Sequence, residues 1–152
     1  MKTPFAKKKS HSPNYFLVDA TGKTLGRLAT EISKLLRGKE LSYFSPGIDQ
    51  GNFVAVINAQ KIVISGKKEN QKLYYRTSQR PGGLKSQTFS QLKARFPARI
   101  VEKAVWGMLP KGVLGRKHYQ RLFVYSGDLV FKKNQHSSVL PWTVFPGENK
   151  KE

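Results

Sequence analysis

Gly22-Lys23-Thr24 stands between a strand-like run and a helical one, the place where a phosphate-binding loop would open. That chemistry needs a glycine five residues before the Gly-Lys pair, so that backbone N–H groups wrap the phosphates. Leu17 occupies the position. Ser65-Gly-Lys-Lys68 fails in the same way, with Lys61 at the glycine position and Lys68 where a Ser or Thr would hold Mg²⁺. The first segment is read as a turn and helix start. The second is read as a loop offering the ammonium groups of Lys67 and Lys68 to a passing phosphate.

Other reactive groups are scattered. His11, His118 and His136 lie far apart with no carboxylates at ligand spacing, so each is expected at the surface or facing nucleic acid and not on a metal. Asp19 and Asp49 are the acids nearest an acid–base pairing; Asp19 is expected to end a strand and bond a nearby turn, and Asp49 to cap a turn. The chain has no cysteine, which removes disulfides, Cys-ligated zinc and thiol catalysis. No catalytic residue, metal or cofactor is assigned, and no small-molecule substrate is expected.

Charge is the positive signal. The 152 residues carry 28 Lys and Arg against 9 Asp and Glu, a net +19. A compact chain this basic repels itself unless a polyanion neutralises it, and displaced counterions make nucleic acid a strong partner. No basic amphipathic helix points to a membrane surface, and no run approaches the roughly 20 apolar residues of a membrane span. No secretory signal is read at the start, so a soluble intracellular protein is expected. Between Asn70 and Gly127 twelve cations face a single acid, Glu102. An ordinary soluble surface mixes its signs.

The elements that must hold these charges are legible in part. Tyr15-Phe-Leu-Val-Asp19 reads as a strand. From Leu25 the apolar residues Leu28, Ala29, Ile32, Leu35 and Leu36 fall at helical spacing, and Gly38 stands where a glycine stops a helix. Phe53-Val-Ala-Val-Ile57 is apolar on both faces, as in a sheet covered by helices, and Lys61-Ile-Val-Ile-Ser65 repeats the strand signal. Residues 72–76 alternate weakly, 80–85 form an exposed loop, 88–95 and 97–108 are helices, and 122–125 is a last strand. The spacing predicts one three-layer α/β domain over 15–127, with a mainly parallel sheet of about four strands flanked by helices. A basic N-terminal arm covers 1–14 and an irregular C-terminal extension 128–152.

On this frame the candidate nucleic-acid contacts group by segment. Lys7, Lys8 and Lys9 form the arm; Arg37 and Lys39 flank the helix-stopping glycine; Lys67 and Lys68 lie in the Ser-Gly-Lys-Lys loop. Lys72, Tyr75, Arg76, Arg80, Gly82, Gly83 and Lys85 fall in one stretch where rings can stack on unpaired bases and glycines let backbone N–H groups approach phosphate. One of an adjacent tyrosine pair on a strand should point into the core, leaving Tyr74 or Tyr75 for the partner; the set carries Tyr75. Lys111, Arg116 and Lys117 complete it. No helix-turn-helix, zinc-finger or basic-zipper pattern is present, and cations spread over several elements suit folded RNA better than one DNA groove. A non-specific DNA-compacting protein is the alternative.

Val18-Asp-Ala20, Leu25-Gly-Arg-Leu-Ala29, Leu36-Arg-Gly-Lys39, Val56-Ile-Asn-Ala59, Ser65-Gly-Lys-Lys68, Tyr74-Tyr-Arg76, Pro81-Gly-Gly83, Ala104-Val-Trp-Gly-Met-Leu-Pro110 and Leu114-Gly-Arg116 occur in that order. Together they resemble the family of large-subunit ribosomal protein thirteen, across about three quarters of the chain and closest to its cyanobacterial and chloroplast branch. The resemblance implies a compact α/β fold that binds large-subunit ribosomal RNA during assembly, beside neighbouring large-subunit proteins and without catalysis. It implies a ribosome of the chloroplast stroma, or alternatively of a bacterial cytoplasm, and RNA contacts at Lys67, Lys68, Arg76, Arg80, Lys111 and Arg116. Two departures stand out: Thr77 replaces the family's usual histidine, and a His-x-His segment is missing after the last strand, so no C-terminal contact is carried over. Gly107 is expected to be required by close backbone packing against its helix.

Overall fold

The computed structural model describes residues 12–127 and the backbone of a short strand at 143–144. Lys7, Lys8, Lys9, His11, His136 and most of the 128–152 extension lie outside the described residues. Strand β1 (Tyr15–Asp19) leads into helix α1 (Leu25–Arg37), whose apolar stripe is buried along its whole length. Gly38 ends it at φ +71°, where the N–H groups of Gly38 and Lys39 satisfy the carbonyls of Leu35 and Lys34, both at 3.0 Å. Strand β2 (Phe53–Ile57) then lies parallel to β1, with Tyr15 opposite Phe53 and Val18 opposite Val56. This is the expected strand–helix–strand unit.

The run at 61–65 is not a strand. A 3-10 turn covers Ala59–Lys61, and only Val63 touches the ladder, through an isolated parallel bridge to Thr24. Its apolar content serves the core through Ile62, which is 1 % exposed. After a single turn, α2 (Lys68–Gln71), an antiparallel hairpin follows: β3 (Leu73–Thr77) and β4 (Leu84–Thr88). The loop expected over 80–85 is therefore shorter, because Leu84 and Lys85 belong to β4. Thr88 then caps α3 (Phe89–Arg95) in a reciprocal box with Gln91.

Helix α4 (Pro97–Met108) starts on a proline suited to its first turn and buries Ile100, Val101 and Val105 against α1. Helix α5 (Val113–Tyr119) and strand β5 (Leu122–Val124) follow. Strand β6 (Thr143–Val144) adds to the far side of β1, giving a parallel sheet of order β5-β2-β1-β6. Val18, Val54 and Val56 meet Ile32, Leu36 and Phe89 in one core, each such side chain contributing about 1.5–3 kcal/mol. The result is an α/β fold with its cationic segments held on a rigid base.

Gly107 corrects an expectation. A Cβ built there would meet nothing within 4 Å, and the residue is exposed in the last turn of α4. No neighbouring backbone among the described residues requires it, so it only weakens α4. Gly107→Ala should raise stability slightly, by up to about 0.5 kcal/mol so near the helix end, seen as a higher denaturant midpoint. An unchanged or lower midpoint would mean that this face of α4 is more crowded than the structure indicates.

Candidate nucleic-acid interface

The acids come first, because their placement decides how positive the surface is. Asp19 accepts hydrogen bonds from the Thr21 N–H (3.0 Å), the Thr21 hydroxyl (2.7 Å) and the Asn58 amide (3.1 Å), as expected for a strand-ending turn. Burial opposes its charge, but these donors win and hold the carboxyl below its ordinary range. Glu31 pairs with Lys34 at 3.1 Å, and Glu40 accepts from the buried Asn52 amide at 2.7 Å.

Asp49 does more than cap a turn. Its carboxylate takes a two-pronged bond from Arg121, Nη1 at 2.8 Å and Nη2 at 2.7 Å, and Nη1 also reaches the Gly51 carbonyl at 2.7 Å. Burial would raise this carboxyl, yet the Arg121 bonds and charge pull it below its usual range. His118 lies beside it, Nδ1 3.5 Å from Asp49 Oδ1, and only 4 % exposed. The expectation of a surface or RNA-facing histidine is thus wrong: α5 turns this ring inward, and Gly51 gives it room, since a Cβ there would crowd the ring and the Leu36 carbonyl. Burial pushes the imidazole below its ordinary value, Asp49 opposes, and Arg121 and Arg37 add to the fall.

With those acids internal or paired, the cations dominate. Of the twelve between Asn70 and Gly127, Arg121 is spent inside and Lys93 donates to the Ile62 carbonyl at 2.9 Å. A groove of about 1090 Å³ runs between the hairpin, the outer face of α4 and α5. Strand alternation puts Tyr74 and Arg76 on one hairpin face, with their register partners Gln87 and Lys85, and all four line the groove. Arg95, Phe96, Arg99, Lys103 and Trp106 supply its floor, and Arg116 and Tyr119 its other wall.

Rings and cations are interleaved there. Lys72 and Lys103 sit 5.5 and 5.3 Å from the Tyr74 ring centre, Arg99 4.3 Å from Phe96, and Lys111 5.3 Å from Trp106. Trp106 meets Tyr119 edge-on at 5.1 Å. Burial keeps both tyrosine hydroxyls more firmly protonated than usual, for Tyr119 with help from the charge of Glu102.

The structure thus brings Tyr75, Arg76, Lys85 and Arg116 of the candidate set together along one groove. Tyr74 is the ring packed on the core; Tyr75 is 57 % exposed and alternates to the hairpin's other face with Leu73 and Leu84. Arg80, Gly82 and Gly83 form the exposed hairpin turn, and Lys67, Lys68 and Lys72 the neighbouring surface around α2. Arg37 and Lys39 stand at the end of α1, Arg37 5.9 Å from the Phe44 ring. Lys111 and Lys117 are exposed on either side of the α5 start. Sequence reading missed Arg95, Phe96, Arg99, Lys103 and Trp106. Their signal was a second stripe at 96, 99, 103 and 106, on the α4 face opposite the apolar one.

A parallel α/β domain with Asp49 turned inward, Asp19, Glu31 and Glu40 bonded to neighbours, and a groove of rings and cations in which Glu102 is the single acid has the surface expected of a polyanion-binding protein. Comparison with known proteins makes the class specific. The family model described as Ribosomal protein L13 matches residues 13–130. A Large ribosomal subunit protein uL13 of Picosynechococcus sp. is 48% identical over 97% of this chain and 97% of its own length. Its namesake from a Synechococcus strain is 49% identical over 96% and 97%, and that of a Prochlorococcus marinus strain 58% identical over 75% and 80%. The chain belongs to the ribosomal protein L13 family, a family of ribosomal proteins and not of enzymes.

Proposed function

We propose that the chain is a structural constituent of the large ribosomal subunit that binds and organises large-subunit ribosomal RNA beside neighbouring subunit proteins. The observation that carries this reading is the cationic surface between Asn70 and Gly127, where Glu102 is the single acid and ten of twelve cations remain after Arg121 and Lys93 are used internally. The α/β core holds those charges at fixed positions, so RNA segments that converge on them are neutralised together. The cyanobacterial relatives support a bacterial-type ribosome, with the chloroplast stroma as its place and a bacterial cytoplasm as the alternative.

Salt dependence tests the RNA-facing residues. Lys67 and Lys68 are exposed and make no ion pair among the described residues, so replacing both with Ala should leave the fold intact. The slope of log affinity against log salt should fall by roughly 0.7–0.9 for each phosphate that is no longer neutralised. An unchanged slope would remove the pair from the interface. Sedimentation of a tagged chain with the large subunit, surviving high salt and abolished by RNase, tests the assembly itself. Equal affinity for any duplex DNA would favour the DNA-compacting alternative.

A further inference from the structure

We propose that the groove between the β3–β4 hairpin, α4 and α5 receives an unpaired stretch of RNA, its bases stacking on Phe96 and Trp106 while Arg76, Lys85 and Arg116 hold its phosphates. This rests on the RNA-binding reading above and adds which form of RNA enters and where. A duplex keeps its base faces inside the stack and offers a protein phosphates, sugars and groove edges, for which cations suffice. Rings set among cations serve strands whose bases are free to stack. Phe96 is the decisive residue. Packing accounts for Trp106, held against Tyr119, and for Tyr74, seated on the core. It does not account for a phenylalanine left 48 % exposed at the mouth of a cationic groove. Arg99, 4.3 Å from that ring, adds a planar cation that itself stacks on bases.

The groove exceeds the roughly 300–1,000 Å³ of clefts that enclose a single drug-sized ligand, so several nucleotides fit better than one. Its lining disfavours a protein segment as occupant. A basic extension would be repelled by Arg76, Lys85, Arg95, Arg99, Lys103 and Arg116, with Glu102 alone to oppose them. An acidic segment would satisfy those charges and leave the rings without a planar partner.

The test uses the full chain and two labelled probes, single-stranded oligoadenylate of about a dozen nucleotides and a blunt RNA duplex of equal phosphate number. Phe96→Ala should weaken oligoadenylate binding about tenfold, the loss of one base stack, and leave the salt slope and the duplex affinity as they were. Phe96→Tyr should restore the affinity. Leu84→Ala, on the hairpin's other face and outside the groove lining, should change the single-strand affinity less than twofold. Equal loss on both probes, no loss on either, or displacement of oligoadenylate by polyglutamate of equal charge would overturn the groove assignment. If Phe96→Ala is silent while Lys67→Ala/Lys68→Ala still lowers the slope, the groove proposal falls and the RNA-binding reading stands. If neither probe binds with salt dependence, that reading falls as well.

Discussion

Asp49→Ala should cost about 3 kcal/mol of folding stability, read as a lower denaturant midpoint with an unchanged slope. The carboxylate is 13 % exposed and Arg121 22 %, so removing the acid strands a half-buried guanidinium with the Gly51 carbonyl and the Phe53 ring as its remaining partners. Breaking a buried pair from one side costs about 3–5 kcal/mol, and the residual exposure of Arg121 puts this case at the low end. Asp49→Asn keeps an acceptor and should lose less. A variant that unfolds like the parent would show that α5 and the 49–51 loop are joined by packing alone.

The same cluster sets two pH windows. His118 is held below its ordinary value in the folded chain and returns to about 6.5 when unfolded. As pH falls through that value the unfolded chain takes up a proton that the folded chain refuses. Stability therefore drops below about pH 6.5, by up to about 1.4 kcal/mol per unit, until the folded imidazole also titrates. Asp49 behaves in the acid-range sense: its lowered carboxyl contributes above its ordinary carboxylate value, and that contribution is lost as pH falls through the folded one. His118→Asn should flatten the upper window and leave the lower one, whatever its effect on absolute stability.

What the sequence made legible follows from the range of each cause. The α1 and α4 stripes and the β2 run are local periodicities enforced by one large core, and they read directly. Strand β4, Leu-Lys-Ser-Gln-Thr, escaped because none of its five residues is buried, so neither of its faces demands an apolar alternation. Helix α5 escaped because a glycine and three basic residues in seven blur any stripe. Lys61–Ser65 misled because one buried position, Ile62, is enough to keep a segment apolar. The candidate interface divides likewise. Its cations were visible as composition, but the groove was not, since it forms only when the α4 outer stripe meets the hairpin. The Asp49–Arg121 pair joins residues 72 apart, a separation for which no spacing rule exists.

Gly115→Ala should cost about 3 kcal/mol and weaken RNA binding together with stability. Gly115 lies in α5 at an ordinary negative φ, so backbone freedom is not the reason for it. Space is the reason: a Cβ there would fall inside contact distance of the Pro110 carbonyl oxygen. That oxygen cannot swing aside like a flexible side chain. It belongs to the turn between the end of α4 and the start of α5, and the proline ring fixes its own φ. Forcing extra atoms into a packed site costs about 1–3 kcal/mol, more where only backbone is available to move. The strain is relieved by tilting α5 away from α4, which shifts Arg116 off the groove wall and drags His118 from Asp49. Stability and single-strand affinity should therefore fall together, whereas Gly107→Ala, eight residues earlier in the last turn of α4, should raise stability slightly and leave affinity alone. A Gly115→Ala chain that melts and binds like the parent would mean that the 110–115 turn has slack, and that Arg116 is not positioned through it.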